Sequence, residues 1–366
     1  MSALTVLAFN SGSSSLKFGL YRVDSNGAEK VFGDSFPTAD DPDAMTRVAR
    51  VLAACGMPPP DAIGHRIVHG GPALRQHCRI DDAVLRQLQG AAAFAPLHTP
   101  AALALIRFAQ AHFPGVPQVA CFDTRFHAGL PDVARVLPIA RELQSEGIQR
   151  YGFHGLSLES IVRQLGDALP QRLVIAHLGN GASITAVKAG LSIDTSMGMT
   201  PSGGVVMGTR SGDLDPGVLV YLMREKKFDA ARLEALVDQG SGLRGISGLS
   251  GDMRRLHEAA VSNRDARLAI EMFCYSVRKQ VAAMVAVLGG LDMLVFTGGI
   301  GENDAQVRAE ICAGLAWVGV RLDDAHNRAA SNPSRRINDD ASRCQVLVLA
   351  SQEDEQIARH AWALLA

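Results

Sequence analysis

Two stretches of this chain share one pattern, LAFNSGSSSLKFGL at 7–20 and IAHLGNGASITAVKAG at 175–190. Each runs from an apolar strand, through a turn of Asn, Gly and Ser, into a second strand of alternating apolar residues. Each stands at the opening of one half of the 366 residues, a length that suits two domains at about 100–200 residues apiece. On shape alone, a divergent duplication and two unrelated hairpins are both open.

The remaining pattern is that of an α/β protein. Strands are expected at 5–9, 16–23, 63–68, 116–122, 173–178, 183–187, 291–296 and 345–349, and helices at 43–54, 81–93, 101–112, 216–224, 230–238, 264–288 and 353–365. The shift at 149–153, before a new helix, marks the expected boundary between a domain at 1–149, joined by the terminal helix 353–366, and a second at 150–352. With 36 basic against 37 acidic residues, no nucleic-acid or membrane partner is expected from bulk electrostatics. No apolar run reaches the roughly 18 residues of a membrane helix. The start, MSALTVLAFN, has neither a basic n-region nor a cleavage pattern, so no leader is expected. Six scattered cysteines without a C-x-x-C pair read as buried thiols in a reducing cytoplasm, and a zinc site is not expected.

Three small-residue segments follow apolar strands, at 10–15, 179–182 and 298–301. Loops of this kind let backbone N–H groups converge on phosphate oxygens. Neither G-x-x-x-x-G-K-[ST] nor G-x-G-x-x-G is present, and any one loop alone is more often a turn. Three together favour a nucleotide fold with ligand at the strand ends. Arg66, on a buried strand pattern before Gly70 and Gly71, reads as an anion clamp, because guanidinium grips a carboxylate or phosphate through two parallel bonds. Arg210 lies in a long Gly/Ser/Thr-rich stretch, 197–216, of the length usually reserved for function or disorder. Asp123 ends an apolar strand, and Glu353 follows the last strand, at the start of the terminal helix. They suit either helix starts or the holding of a metal–nucleotide complex. His154 opens a helix and could donate to a developing negative charge.

The stretches NSGSSSLK, GHRIVHGG, APLHTP, CFDTRFH, RYGFHG, HLGNGASI, DTSMGMTP, MGTRSGDLDP, SGLSGDMR, TGGIGEN and QEDEQIAR occur in this order along nearly the whole chain. Together they resemble the acetate kinase (acetokinase) family of short-chain carboxylate kinases. The resemblance implies an actin-like, sugar-kinase-type ATPase fold with two duplicated ribonuclease-H-like domains flanking a cleft. It implies a homodimer formed through the C-terminal domain, with ATP/ADP and Mg²⁺ (or Mn²⁺) as cofactors. The implied reaction is reversible phosphoryl transfer between ATP and a short carboxylate, giving an acyl phosphate and ADP. The alternatives are a propionate kinase and a nucleotide-binding member without kinase activity.

Carried over by motif, the resemblance puts Asn10, Ser13, Ser15 and Lys17 near the transferring phosphate, and Arg66 and Arg210 beside the acyl substrate. His154 and Asn180 stabilise the same charge. His177, Gly179 and Gly181 lie by the ATP phosphates. Asp252, Met253, Arg254, Gly299, Ile300 and Asn303 surround the adenosine. Asp123 and Glu353 serve Mg²⁺ and positioning, with Asn10 and Glu353 as its ligands. Val68, Leu97, Phe153 and Pro201 form the acyl pocket. A carboxylate substrate is already ionised at neutral pH, so no general base is assigned to Asp123. The chain departs from the family pattern at 156–158, 202–204 and Arg244, and is short between 24 and 61.

Overall fold

The computed structural model describes residues 2–12, 15–37, 44–54, 59–96, 98–329 and 334–366. They form two compact units. The first comprises Met1–Ala128, His154–Ser160 and Gln352–Ala366, and the second Gly129–Phe153 and Ile161–Ser351.

The first unit is built on β1 (Leu4–Ser11), β2 (Ser15–Asp24), β3 (Gly27–Pro37), β4 (Ala62–Ile67), β5 (Cys78–Arg79) and β6 (Gln118–Phe122), in the order β3-β2-β1-β4-β6-β5. β1 and β2 pair antiparallel with Asn10 opposite Lys17, and β1, β4 and β6 run parallel. The second unit has β7 (Arg172–Leu178), β8 (Ala182–Lys188), β9 (Leu191–Thr195), β10 (Met293–Thr297), β11 (Arg335–Arg336) and β12 (Gln345–Val348), in the order β11-β12-β10-β7-β8-β9. Here β7–β8–β9 is the antiparallel meander, and β10 and β12 run parallel to β7. Each sheet is thus a meander, two parallel strands and a short antiparallel edge. The two hairpins read from the sequence occupy the same place in both.

The parallel strands of the first sheet are buried on both faces, which explains their unbroken apolar sequence. On one face, Leu7, Phe9 and Ile63 pack with Leu105 and Ala109 of helix Thr99–His112. On the other, Val6, Ala8, Ala62 and Val119 meet Ile357, Ala358 and Ala361 of the terminal helix Glu353–Leu365. Each such fully buried large apolar side chain contributes about 1.5–3 kcal/mol. Gly64 permits the close approach, since a Cβ there would stand 2.5 Å from Ile357 Cγ2.

β3 and β9 are outer strands of their sheets and go beyond the sequence expectations. β3 follows a turn in which Asp24 Oδ1 accepts from the N–H groups of Asn26 and Gly27. Residues 298–301 are a further correction. They are not a loop but the first turn of a six-residue helix, Gly298–Asn303.

Candidate functional site

In the first unit the end of β1, the end of β4, the residue after β6 and the start of the terminal helix meet around one guanidinium. Arg66 donates from Nε and Nη2 to Asp123 Oδ2, at 2.9 and 2.6 Å. Its Nη1 donates to Asn10 Oδ1 at 2.9 Å and lies 3.5 Å from Glu353 Oε2. The Asn10 amide donates in turn to Glu353 Oε2 (2.9 Å) and to Asp354 Oδ1 (2.7 Å). Arg66, Asp123, Asn10 and Glu353, which lie far apart in sequence, are therefore one network. Asp354 completes it and carried no separate signal, because an acidic run at a helix start is equally explained by the macrodipole.

Three carboxylates face one cation here. Burial works against the charge on Arg66, but Asp123, Glu353 and Asp354 outweigh it and hold the guanidinium more firmly protonated than usual. Burial pushes the Asp123 carboxyl up, to about 6, even with Arg66 pulling it down. Burial also raises Asp354. Asp123 Oδ1 is buried with no hydrogen-bond partner among the described residues. An all-oxygen donor set with surplus negative charge and a spare buried oxygen fits a hard dication such as Mg²⁺.

His154 has a left-handed backbone (φ 61°), a costly conformation for a residue other than glycine and one that clusters at functional sites. The next residue, Gly155, donates its N–H to Asp123 O at 2.8 Å. A Cβ on Gly155 would lie 2.2 Å from that oxygen, so the contact requires glycine. Leu156 and Leu158, where the chain departs from the family pattern, are fully buried. Val68 is buried and Lys17 exposed. Ser13 and Leu97 lie outside the described residues, and of Ser15 only the backbone, at the start of β2, is described.

In the second unit the predicted nucleotide residues lie at the 179–181 turn, at the start of the helix that follows Gly251 and in the Gly298–Asn303 helix, and Gly208 touches the first two. Gly179 donates to Gly181 O across the β7–β8 turn (2.9 Å), and Gly208 donates to Asn180 O (3.1 Å). A Cβ on Gly208 would come within 2.4 Å of Asn180 Oδ1, and one on Gly251 within 2.6 Å of Gly208 O. Asp252 caps helix Met253–Ala260 by accepting from Arg254 N, and also pairs with the Arg254 side chain. His177, near the end of β7, lies opposite Thr297 of β10, which leads into the 298–303 helix. Gly298 (φ 78°) starts that helix against Leu178 O, where a Cβ would stand at 2.8 Å. Glu302 Oε1 accepts from the N–H groups of Gly298 and Ser351, and Asn303 Nδ2 donates to Gly299 O. The fully buried Arg308 donates to the carbonyls of Gly301 and Glu302. Ile300 belongs to the same turn.

Phe153, Pro201 and Arg210 are buried in the second unit, with Arg210 Nη1 donating to Pro201 O at 3.3 Å. The long 197–215 stretch is pinned by Asp213 Oδ1, which accepts from Gly204 N, by Ser202 Oγ on Asp238, and by Thr209 Oγ1 on Asp238 O. Arg244 is exposed. Gly155, Gly208, Gly251, Glu302 and Arg308 thus support the predicted residues. Gly155, Gly208, Gly251 and Glu302 lie inside the quoted motifs, but a lone glycine or acid there carries no sequence signal for such a supporting role.

A family model described as the acetokinase family matches residues 5–359. The chain belongs to the acetokinase family. Among curated relatives, the acetate kinase of Methylocella silvestris is 41% identical over 399 aligned positions, with 98% of each chain covered. That of Thermosynechococcus vestitus is 45% identical over 309, covering 83% of this chain and 74% of its own. Among solved structures, Porphyromonas gingivalis acetate kinase superposes with a TM-score of 0.84 at 32% identity, covering 99% of this chain and all of its own. A propionate kinase from Francisella tularensis reaches 0.88 at 36%, with both chains fully covered. The two repeated sheets are those of the actin-like ATPase fold, as in these acetokinase-family structures. Among the described residues no helix is long and apolar enough to cross a membrane.

Proposed function

We propose that this member of the acetokinase family is an acetate kinase, which transfers the γ-phosphoryl group of ATP reversibly to acetate, giving acetyl phosphate and ADP. The network in which Asn10, Asp123 and Glu353 hold Arg66 carries the reading. Such a transfer needs positioning and charge stabilisation more than covalent help from the protein. A carboxylate oxygen of acetate attacks the γ-phosphorus in line as the bond to the β–γ bridging oxygen breaks. Acetate is already an anion, so Asp123 orients Arg66 rather than taking a proton. Arg66, Arg210, His154 and Asn180 hold the charge that gathers on the equatorial oxygens. Asn10, Ser13, Ser15, Lys17, His177, Gly179 and Gly181 hold the phosphates. Asp252, Met253, Arg254, Gly299, Ile300 and Asn303 hold the adenosine.

Asn10 and Glu353 would hold Mg²⁺. When bound, the ion neutralises the phosphates and the acidic surplus around Arg66. That surplus repels anionic substrates until a cation offsets it, which supports Mg²⁺ as the cofactor in this reading.

Val68, Leu97, Phe153 and Pro201 line the acyl pocket in this reading. One methylene in an apolar pocket changes discrimination by about 1–3 kcal/mol. Propionate is therefore expected to be turned over more slowly than acetate, and butyrate more slowly still. The deciding measurement is ADP release from MgATP with each carboxylate. No acetate-dependent ADP with ATP still bound would refute the assignment.

The rate should also fall in acid. Protonating Asp123 removes the partner that orients Arg66, so kcat/KM for acetate should decline as pH drops through about 6. A pH–rate profile checks this, and the limb should vanish in Asp123→Asn.

A homodimer through the second unit and a cytoplasmic location complete the proposal. Helix Pro216–Glu225 has no buried residue and exposes Val218, Val220, Tyr221 and Met223. Helix Arg264–Leu288 exposes Leu268, Met272 and Tyr275 along one face. Exposed apolar patches of this kind mark association surfaces. Tyr221→Asp should shift the mass measured by analytical ultracentrifugation from dimer to monomer.

A further inference from the structure

Three side chains outside the proposed reaction centre converge in the first unit. His77, Glu159 and His360 bring one potential ligand atom each within 4.8 Å of one another. His360 Nε2 lies 2.6 Å from Glu159 Oε2, while His77 Nε2 is 3.7 Å from the same oxygen, beyond hydrogen-bond reach. Two imidazoles and a carboxylate are a donor set that zinc accepts. The backbone argues against that use. Phe122 N–H donates to His77 Nδ1 at 3.0 Å, so Nδ1 carries the lone pair and the proton of the neutral ring sits on Nε2. A metal-bound imidazole has the opposite polarity, with its second nitrogen donating outward. Burial lowers the His77 pKa, which favours this neutral ring.

What the cluster joins is informative. Phe122 immediately precedes Asp123. Glu159 lies on helix Gly155–Leu165, which begins next to His154. His360 lies on the terminal helix, whose first residue is Glu353. Two further bonds join the same segments: Gly155 N to Asp123 O at 2.8 Å, and Gln352 N to Ser160 Oγ at 3.1 Å. We infer that His77, Glu159 and His360 are positioning residues for phosphoryl transfer, a brace that registers the three backbone segments presenting Asp123, His154 and Glu353. This rests on the site assignment made above. Burial would raise the Glu159 carboxyl, but His360, through its hydrogen bond and its charge, and His77 together outweigh it and hold it at about 2, so the brace stays charged across the working range.

The charge of Glu159 is also felt at Asp123, where it adds to the raising effect of Glu353 and opposes the pull of Arg66. His77 and His360 face Glu159, and Arg125 faces His77. Removing the Glu159 charge should therefore move the acid limb of the rate profile to lower pH, an effect that loss of packing alone would not produce.

The test compares the full-length wild-type chain with Glu159→Gln, His360→Gln and the exchanged pair Glu159→His/His360→Glu. With MgATP and acetate, each single variant should lose about 10- to 10²-fold in kcat, as expected for misplaced reacting groups, with a smaller change in KM for ATP. The acid limb of Glu159→Gln should shift down in pH, and the exchanged pair should regain rate. Amide exchange should quicken in peptides 118–127, 150–160 and 352–360 of the single variants and nowhere else. Single variants with wild-type kcat and exchange would overturn the brace, as would faster exchange spread over the whole chain. So would one equivalent of zinc present in the wild type and lost in Glu159→Gln. If the wild type itself shows no acetate-dependent turnover, the functional reading fails separately, and the exchange pattern still decides whether the brace exists.

Discussion

Replacing Arg66 by Ala is expected to lower kcat for acetate by about 10²–10³-fold, the usual cost of removing one preorganised donor from a developing charge. ATP binding should survive, because the residues assigned to the adenosine, with His177, Gly179 and Gly181 of the phosphate set, lie in the second unit, held by their own backbone bonds. The same substitution should destabilise the fold. Asp123 and Glu353 lose their cation and Asn10 loses a donor to its amide oxygen. Breaking a buried ion pair from one side typically costs about 3–5 kcal/mol. The pH dependence follows from the sign of the shift. Without the guanidinium the buried carboxyls titrate higher in the folded than in the unfolded chain. Stability is then kept below the unfolded values and lost as pH rises through the folded ones. The melting temperature of Arg66→Ala should therefore lie further below wild type at pH 8 than at pH 5. Adding Asp123→Asn should recover much of that stability and none of the turnover. If kcat recovers as well, Arg66 acts only as a structural partner.

The contrast between Arg66 and the turn at 298–303 shows what the sequence made legible. An arginine in an apolar strand before Gly-Gly has few uses, so a charged role was readable. That three acids and an asparagine assemble around it was not, because Asn10, Asp123 and the Glu353-Asp354 pair are brought together only by tertiary structure. The hairpins at 7–20 and 175–190 were readable because alternation and turn chemistry agree locally. The Gly298–Asn303 helix was not. Its glycines disfavour helix, and it forms because Glu302 satisfies Gly298 N while Arg308 takes the carbonyls of Gly301 and Glu302. β3 was missed although Asn26-Gly27 is a hairpin signal, since its residues are those of a polar outer strand without clear alternation. The terminal helix at 353–365 is legible because its acidic start and apolar stripe agree, and the stripe is the face that packs through Ile357, Ala358 and Ala361.

The second large effect is expected at Gly251. Its backbone lies so close to Gly208 that a Cβ would stand 2.6 Å from Gly208 O and 2.9 Å from its carbonyl carbon. These are main-chain atoms and cannot swing aside as a side-chain end can. Gly208 is in turn bonded to Asn180 O, and Asp252, next to Gly251, caps the helix that begins at Met253. Gly251→Ala must therefore push apart the turn that carries Asn180 from the one that carries Asp252. In the proposed assignment the phosphates are held at the first turn and the adenosine at the second, and a displacement of about 1 Å costs on the order of 10²-fold in positioning. The expected result is at least a tenfold rise in KM for ATP, with a smaller rise in KM for acetate, since Arg66 and Val68 belong to the other unit and, of the residues assigned to acetate in this one, only Arg210 lies within two positions of Gly208. Steady-state kinetics with each substrate varied in turn separates the two. Equal losses for both substrates would show instead that the substitution unsettles the whole chain, and an unchanged KM for ATP would remove the 179–181, 208 and 251 turns from the nucleotide site.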